Sequence, residues 1–177
     1  MLLPFRAKTP LVPASAFVAA SADVIGDVQL GAHTTVWHGS VLRGDMNYIR
    51  IGARTNIQDN CTIHVTTDLF PTIVGDEVTL GHNVILHGCV IHDRVLIGMG
   101  AIVMDGAVVE EGAYIGAGAL VSPGTVVSAR TLWTGLPAKY RRDVTEDEYQ
   151  EILDSADQYI EFAAEYKALG VGLEPAP

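Results

Sequence analysis

From Val18 onward an aliphatic residue returns at every sixth position: Val18, Val24, Leu30, Val36 and Leu42. Three additional residues, Tyr48 to Arg50, shift the phase, and the series resumes at Ile51, Ile57 and Ile63. A ten-residue step, four longer than the repeat, leads to Ile73. Thr79, Ile85, Ile91, Ile97, Val103, Val109, Ile115, Val121, Val127 and Trp133 then follow without interruption. A second column, four places after these residues, is small: Cys89, Ala101, Ala107, Ala113, Ala119, Thr125. A third carries glycine at 88, 100, 106, 112, 118 and 124. A period of six is neither helical nor simple strand alternation. It fits a short strand followed by a tight turn, with the branched and small residues facing inward and glycine supplying positive φ at the turn.

Units of this size cannot bury their apolar faces alone and must stack into a solenoid. Three hexads per coil predict a triangular prism over residues 18–140, a mainly β fold, preceded by an extended lead-in at 1–17. Beyond it the pattern changes. Thr145 and Glu148 form a capping-box signature, and Tyr149, Ile152, Leu153, Ala156, Tyr159, Ile160 and Ala163 recur at helical spacing. One amphipathic helix is predicted over 145–169, lying along a prism face or a neighbouring subunit. The tail GVGLEPAP is expected to be loose.

At 177 residues the chain is one domain with a small appendage, and composition narrows its function. Apolar residues make up 49%, yet no run approaches the roughly 20 residues of a membrane span. The opening MLLPFRAKTP lacks the apolar block of a secretory signal, so a cytoplasmic protein is expected. A net charge of −10 argues against a nucleic-acid partner, because phosphate binding requires clustered cations. Cys61 and Cys89 fall in the small-residue column and read as buried thiols.

The stretch from Asn56 to His92 holds four of the six histidines. Counting from the resumed register assigns Ile51 to face one, Ile57 to face two and Ile63 to face three. With the four extra residues looped out, Ile73, Thr79 and Ile85 repeat that order one coil higher. His64 follows Ile63, and His87 comes two after Ile85, so both are assigned to face three on adjacent coils, pointing out. Strands about 4.8 Å apart allow two imidazoles to share an ion at about 2.1 Å each. His82, three after Thr79, falls at the end of face two, near an edge. In a trimer of prisms an edge of one subunit meets a face of the next, which would make His82 the third ligand of a neighbour's site. Three histidines leave an open position for water, as in a catalytic rather than a structural zinc site. His33, His38 and His92 read as ordinary surface residues.

The hexads and these residues resemble the γ-class carbonic anhydrase family, within the hexapeptide-repeat, left-handed parallel β-helix fold. The similarity includes the closing Trp133, Gly135 and Pro137-Ala138-Lys139 and the C-terminal helix. The left hand comes from this resemblance, since ordinary parallel crossovers are right-handed. The resemblance implies a homotrimer whose metal, Zn2+ or alternatively Fe2+ or Co2+, is held by His64, His82 and His87, the middle one from the adjacent subunit. Arg43-Gly44-Asp45 matches a motif that links subunits and shapes the site. Asn56-Ile57-Gln58-Asp59 matches one whose glutamine orients the metal-bound water, with Asn56 and Asp59 as further candidates. Each has a plain reading too: Arg43 with Asp45 as an interface ion pair, Asp59 as a turn cap. Tyr159 either reaches a neighbour's pocket or packs in the core.

The implied activity is reversible hydration of carbon dioxide to bicarbonate by metal-bound hydroxide. Two departures from the family pattern imply slow or condition-dependent turnover. Met46 stands where prototypical members carry glutamate, and the loop VTTDLFPT has Asp68 as its only acid. Alternatives are a metal-dependent acyl-CoA thioesterase, a metal-free hexapeptide acyltransferase using one histidine as base, and a structural homologue with vestigial activity.

Overall fold

The computed structural model describes residues 1–173; the end of the tail, residues 174–177, lies outside the described residues. The hexads form two- and three-residue strands whose registers define three parallel ladders, one per face. Face two stacks Val18, Val36, Ile57, Leu80, Ile97, Ile115 and Trp133. Face three stacks Val24, Leu42, Ile63, Leu86, Val103 and Val121. Face one stacks Leu30, Ile51, Val74, Ile91, Val109 and Val127. These side chains fill one continuous core together with Cys61, Cys89, Ala101, Ala107, Ala113 and Ala119. The architecture is the expected parallel β-solenoid with one C-terminal helix.

Two details of the register differ from the sequence reading. The first insertion falls earlier than Tyr48–Arg50. Gly26 pairs with Gly44 and Val28 with Ile49, so the additional residues bulge out among Asp45–Tyr48. The second difference is a slip of one residue. Ile85 is 38% exposed while Leu86 is fully buried, and Val74 and Leu80 likewise replace Ile73 and Thr79 as the inward residues. The step from Ile63 therefore runs to Val74, and the later step from Leu86 to Ile91 is one residue short, which restores the phase. Each disputed position is one of an adjacent pair (Ile73/Val74, Thr79/Leu80, Ile85/Leu86). Hydrophobicity does not choose within Ile73/Val74 or Ile85/Leu86 and favours the leucine in Thr79/Leu80; pairing with the coil beneath fixes all three.

Both ends of the solenoid are covered, as a stack of repeats requires. Strand Leu2–Leu3 pairs with Val24–Ile25 beneath the first coil. At the other end, Thr131–Thr134 pairs antiparallel with Lys139–Asp143. The helix Glu146–Ala168 opens on the capping box of Thr145 and Glu148 and buries Ile152, Ala156 and Ala163. It lies on face two of its own chain. Ser155 meets Thr79 at 3.0 Å, Asp157 pairs with Arg54, and Tyr159 and Tyr166 pack edge-on against Trp37.

Candidate metal centre

The corrected register brings His64 and His87 side by side. Ile63 pairs with Leu86, and His64 with His87. Each histidine is one residue past an inward aliphatic, so both point outward from face three. Taking Ile85 as the inward residue would have turned His87 toward the core. Nδ1 of His64 lies 3.1 Å from Nε2 of His87.

A carboxylate sits behind each ring. Nε2 of His64 donates to Asp45 Oδ1 at 3.1 Å, and the other oxygen of Asp45 accepts from Arg43 at 2.6 Å. Nδ1 of His87 donates to Asp105 Oδ1 at 2.7 Å, and the Thr66 hydroxyl donates to the same oxygen at 3.0 Å. Burial works to raise Asp45, but the bonds from Arg43 and His64 prevail and hold it below the ordinary carboxylate value. Burial lowers His64 and favours its neutral form, more than its bond to Asp45 opposes this. A neutral imidazole carries one N–H and one lone pair. With each N–H directed to its aspartate, a neutral pair would turn two lone pairs toward each other. Two lone pairs at 3.1 Å repel unless a cation lies between them. Two nitrogens at about 2.1 Å from a tetrahedral zinc would themselves be roughly 3.4 Å apart. The pair fits a metal.

His82 stands elsewhere. It is in the turn after Leu80 at the end of face two, and its Nδ1 meets Asp59 Oδ2 at 3.0 Å. Among the described residues no group of three His, Cys, Asp or Glu side chains gathers at one point within the chain. Asp59 is thus spent on His82 rather than on a turn. Gln58, almost fully buried, donates to Asn56 at 3.2 Å, and Asn56 donates in turn to Thr79 at 2.8 Å. Gln58 and His82 line one pocket of about 380 Å³ on face two with Leu96, Met99 and Tyr114. Tyr159 packs on Trp37 of its own chain, and its hydroxyl is raised first by burial and then by the charge of Asp59. His92 is exposed on face one, away from the pair.

No family model matches the chain. Curated relatives do. The chain is 47% identical over 169 residues to the carbonic anhydrase of Geobacillus kaustophilus, covering 96% of this chain and 92% of that one. It is 47% identical over 161 residues to γ carbonic anhydrase 2, mitochondrial, of Arabidopsis thaliana. The chain belongs to the γ-class carbonic anhydrase family. It spans 58% of the length of that plant relative. In fold, this γ-class chain superposes on the crystal structure of a hexapeptide transferase family protein from Anaplasma phagocytophilum. The TM-score is 0.90 at 43% identity, covering 94% of this chain and 98% of that one.

Asp105 and Thr66 escaped the sequence reading, which sought family motifs and ligand types. A signal was available: one 18-residue coil separates His87 from Asp105. No described helix is long and apolar enough to cross a membrane.

Proposed function

We propose that this γ-class protein is a metal-dependent carbonic anhydrase, catalysing reversible hydration of carbon dioxide to bicarbonate. The site is completed between subunits of a homotrimer, with His64 and His87 from one chain and His82 from the next. One observation carries the reading: two outward imidazoles face each other nitrogen to nitrogen at 3.1 Å while carboxylates hold their far nitrogens. His82, already oriented by Asp59, joins no group of three ligand-type side chains among the described residues. When bound, the metal would supply Lewis-acid activation of water; Zn2+, Fe2+ and Co2+ all suit imidazole ligands.

The chain's own groups set the limits. Gln58, its amide tied to Asn56, stands beside His82 to orient a polar reactant. The Arg43–Asp45 pair fixes His64 and presents a cation beside it. Proton removal is the weak step. Asp45 and Asp105 are both engaged by imidazoles, and Met46, which meets the Thr67 hydroxyl, supplies no carboxylate. Slow, buffer-dependent turnover follows.

The test compares metal content and subunit mass of the wild type with His82→Ala, alongside stopped-flow hydration by the zinc-, cobalt- and iron-loaded proteins. Loss of metal and of the trimer in the variant supports the shared site; unchanged metal content refutes it. A fully loaded trimer no faster than free metal at any pH removes the activity. The largely apolar walls of the pocket beside His82 favour a second reading, hydrolysis of an acyl-CoA thioester. Blank results across an acyl-CoA panel would remove it.

A further inference from the structure

Four aspartates stand in the same repeat slot, two residues after an inward aliphatic: Asp59 after Ile57, Asp76 after Val74, Asp93 after Ile91, and Asp105 after Val103. Asp76 and Asp93 use that slot structurally. Oδ1 of Asp76 accepts the Ala53 N–H of the coil below at 2.6 Å, and Oδ1 of Asp93 accepts the Asp76 N–H at 2.9 Å. By the same geometry Asp105 would accept the N–H of Gly88. It does not. That N–H goes to the Thr72 hydroxyl at 3.0 Å and to the His64 carbonyl. Thr72, at the end of the short loop, performs the corner's backbone task and releases the carboxylate. Oδ1 of Asp105 then receives His87 Nδ1 and the Thr66 hydroxyl, which comes from the start of the same loop. The fold also clears the approach, since a Cβ at position 88 would lie 2.3 Å from this oxygen.

We propose that Asp105, aimed by Thr66, is the positioning residue that fixes the tautomer and ring plane of His87 as a metal ligand. The inference rests on the metal-binding reading above. A carboxylate on Nδ1 keeps the proton there, leaves the Nε2 lone pair facing His64, and increases its basicity. It completes a set in which each candidate ligand has its own aspartate: His64 with Asp45, His82 with Asp59, and His87 with Asp105. The loop between the first two ligands, too short in acids to carry protons, thereby acquires a different task. Its two ends orient a ligand.

The experiment uses the full-length protein with Asp105→Ala, Asp105→Asn, Thr66→Val and His87→Ala. Zinc affinity is read by competition with a chromophoric chelator, and the His87 tautomer by ¹⁵N imidazole shifts of the metal-free protein at pH 8.5. Asp105→Ala is expected to lower zinc affinity about 10- to 100-fold and to convert His87 from an Nδ1–H to a mixed tautomer. Asp105→Asn, which keeps the shape and one acceptor, should retain the tautomer and lose less affinity; Thr66→Val should fall between it and the wild type. The asparagine variant carries the test if the alanine variant does not fold. Wild-type affinity and tautomer in the Asp105 variants, with His87→Ala losing zinc, would overturn this inference alone. Zinc retained by His87→Ala would overturn the ligand assignment and this inference with it.

Discussion

The corner at Gly88 makes a quantitative test of how the fold serves the site. Gly88 and Gly118 both stand at corners of the prism with left-handed φ values of 57° and 67°. A Cβ at Gly118 meets nothing within 4 Å, whereas at Gly88 it would lie 2.3 Å from Asp105 Oδ1 and 2.8 Å from Phe70 Cβ. Left-handed backbone costs an alanine about 1–2 kcal/mol, and its stiffer unfolded chain offsets about 0.4–1 kcal/mol of that. Gly118→Ala should therefore lose about 1 kcal/mol. Gly88→Ala carries the same cost plus overpacking, since ordinary carbon contacts need about 3.5 Å and such crowding costs about 1–3 kcal/mol. The difference between the variants should be about 1–3 kcal/mol. Urea unfolding of both metal-free proteins, at matched subunit mass, measures it. Because Asp105 must retreat, zinc affinity should drop by about tenfold or more in Gly88→Ala and stay at the wild-type value in Gly118→Ala. Equal stabilities together with equal affinities would refute the reasoning.

Three further expectations follow from particular side chains. Leu86→Ala should cost about 2–5 kcal/mol, and Ile85→Ala less than about 1 kcal/mol; denaturant unfolding in which the two exchange places would reject the corrected register. Glu148, held down to about 2 mainly by Arg142 and then by the Thr145 N–H, has a depressed folded value. Its contribution is complete above 4.5 and disappears as pH falls from there toward about 2. Glu148→Gln should erase that part of the acid unfolding curve followed by helical circular dichroism, and an unaltered curve would contradict the assignment. Burial pushes Cys61 and Cys89 up to about 12, so a disulfide reagent at pH 8 should label neither until denaturant is added.

Much of the molecule was legible along the chain. Period six exposed the solenoid because inward residues must be apolar wherever a coil closes, and Thr145 with Glu148 marked the helix start because its first N–H groups need acceptors. The candidate ligands were legible as residue types on named faces. The register across 72–91 was not, since pairs such as Ile85 and Leu86 satisfy the core equally well one by one. Asp105 did not stand out for another reason. It shares slot and type with Asp59, Asp76 and Asp93, and only its partners separate it from the structural pair Asp76 and Asp93.

Sequence alone determined the repeat, the three faces, the helix and the residue types available for metal chemistry, because burial and capping act on each residue locally. Tertiary structure decided which of two neighbouring aliphatics enters the core. It thereby paired His64 directly with His87, both already assigned outward on face three, and set their ring nitrogens 3.1 Å apart. It also decided what each aspartate does, because a carboxylate acquires its task from the donor that reaches it, and here those donors come from adjacent coils.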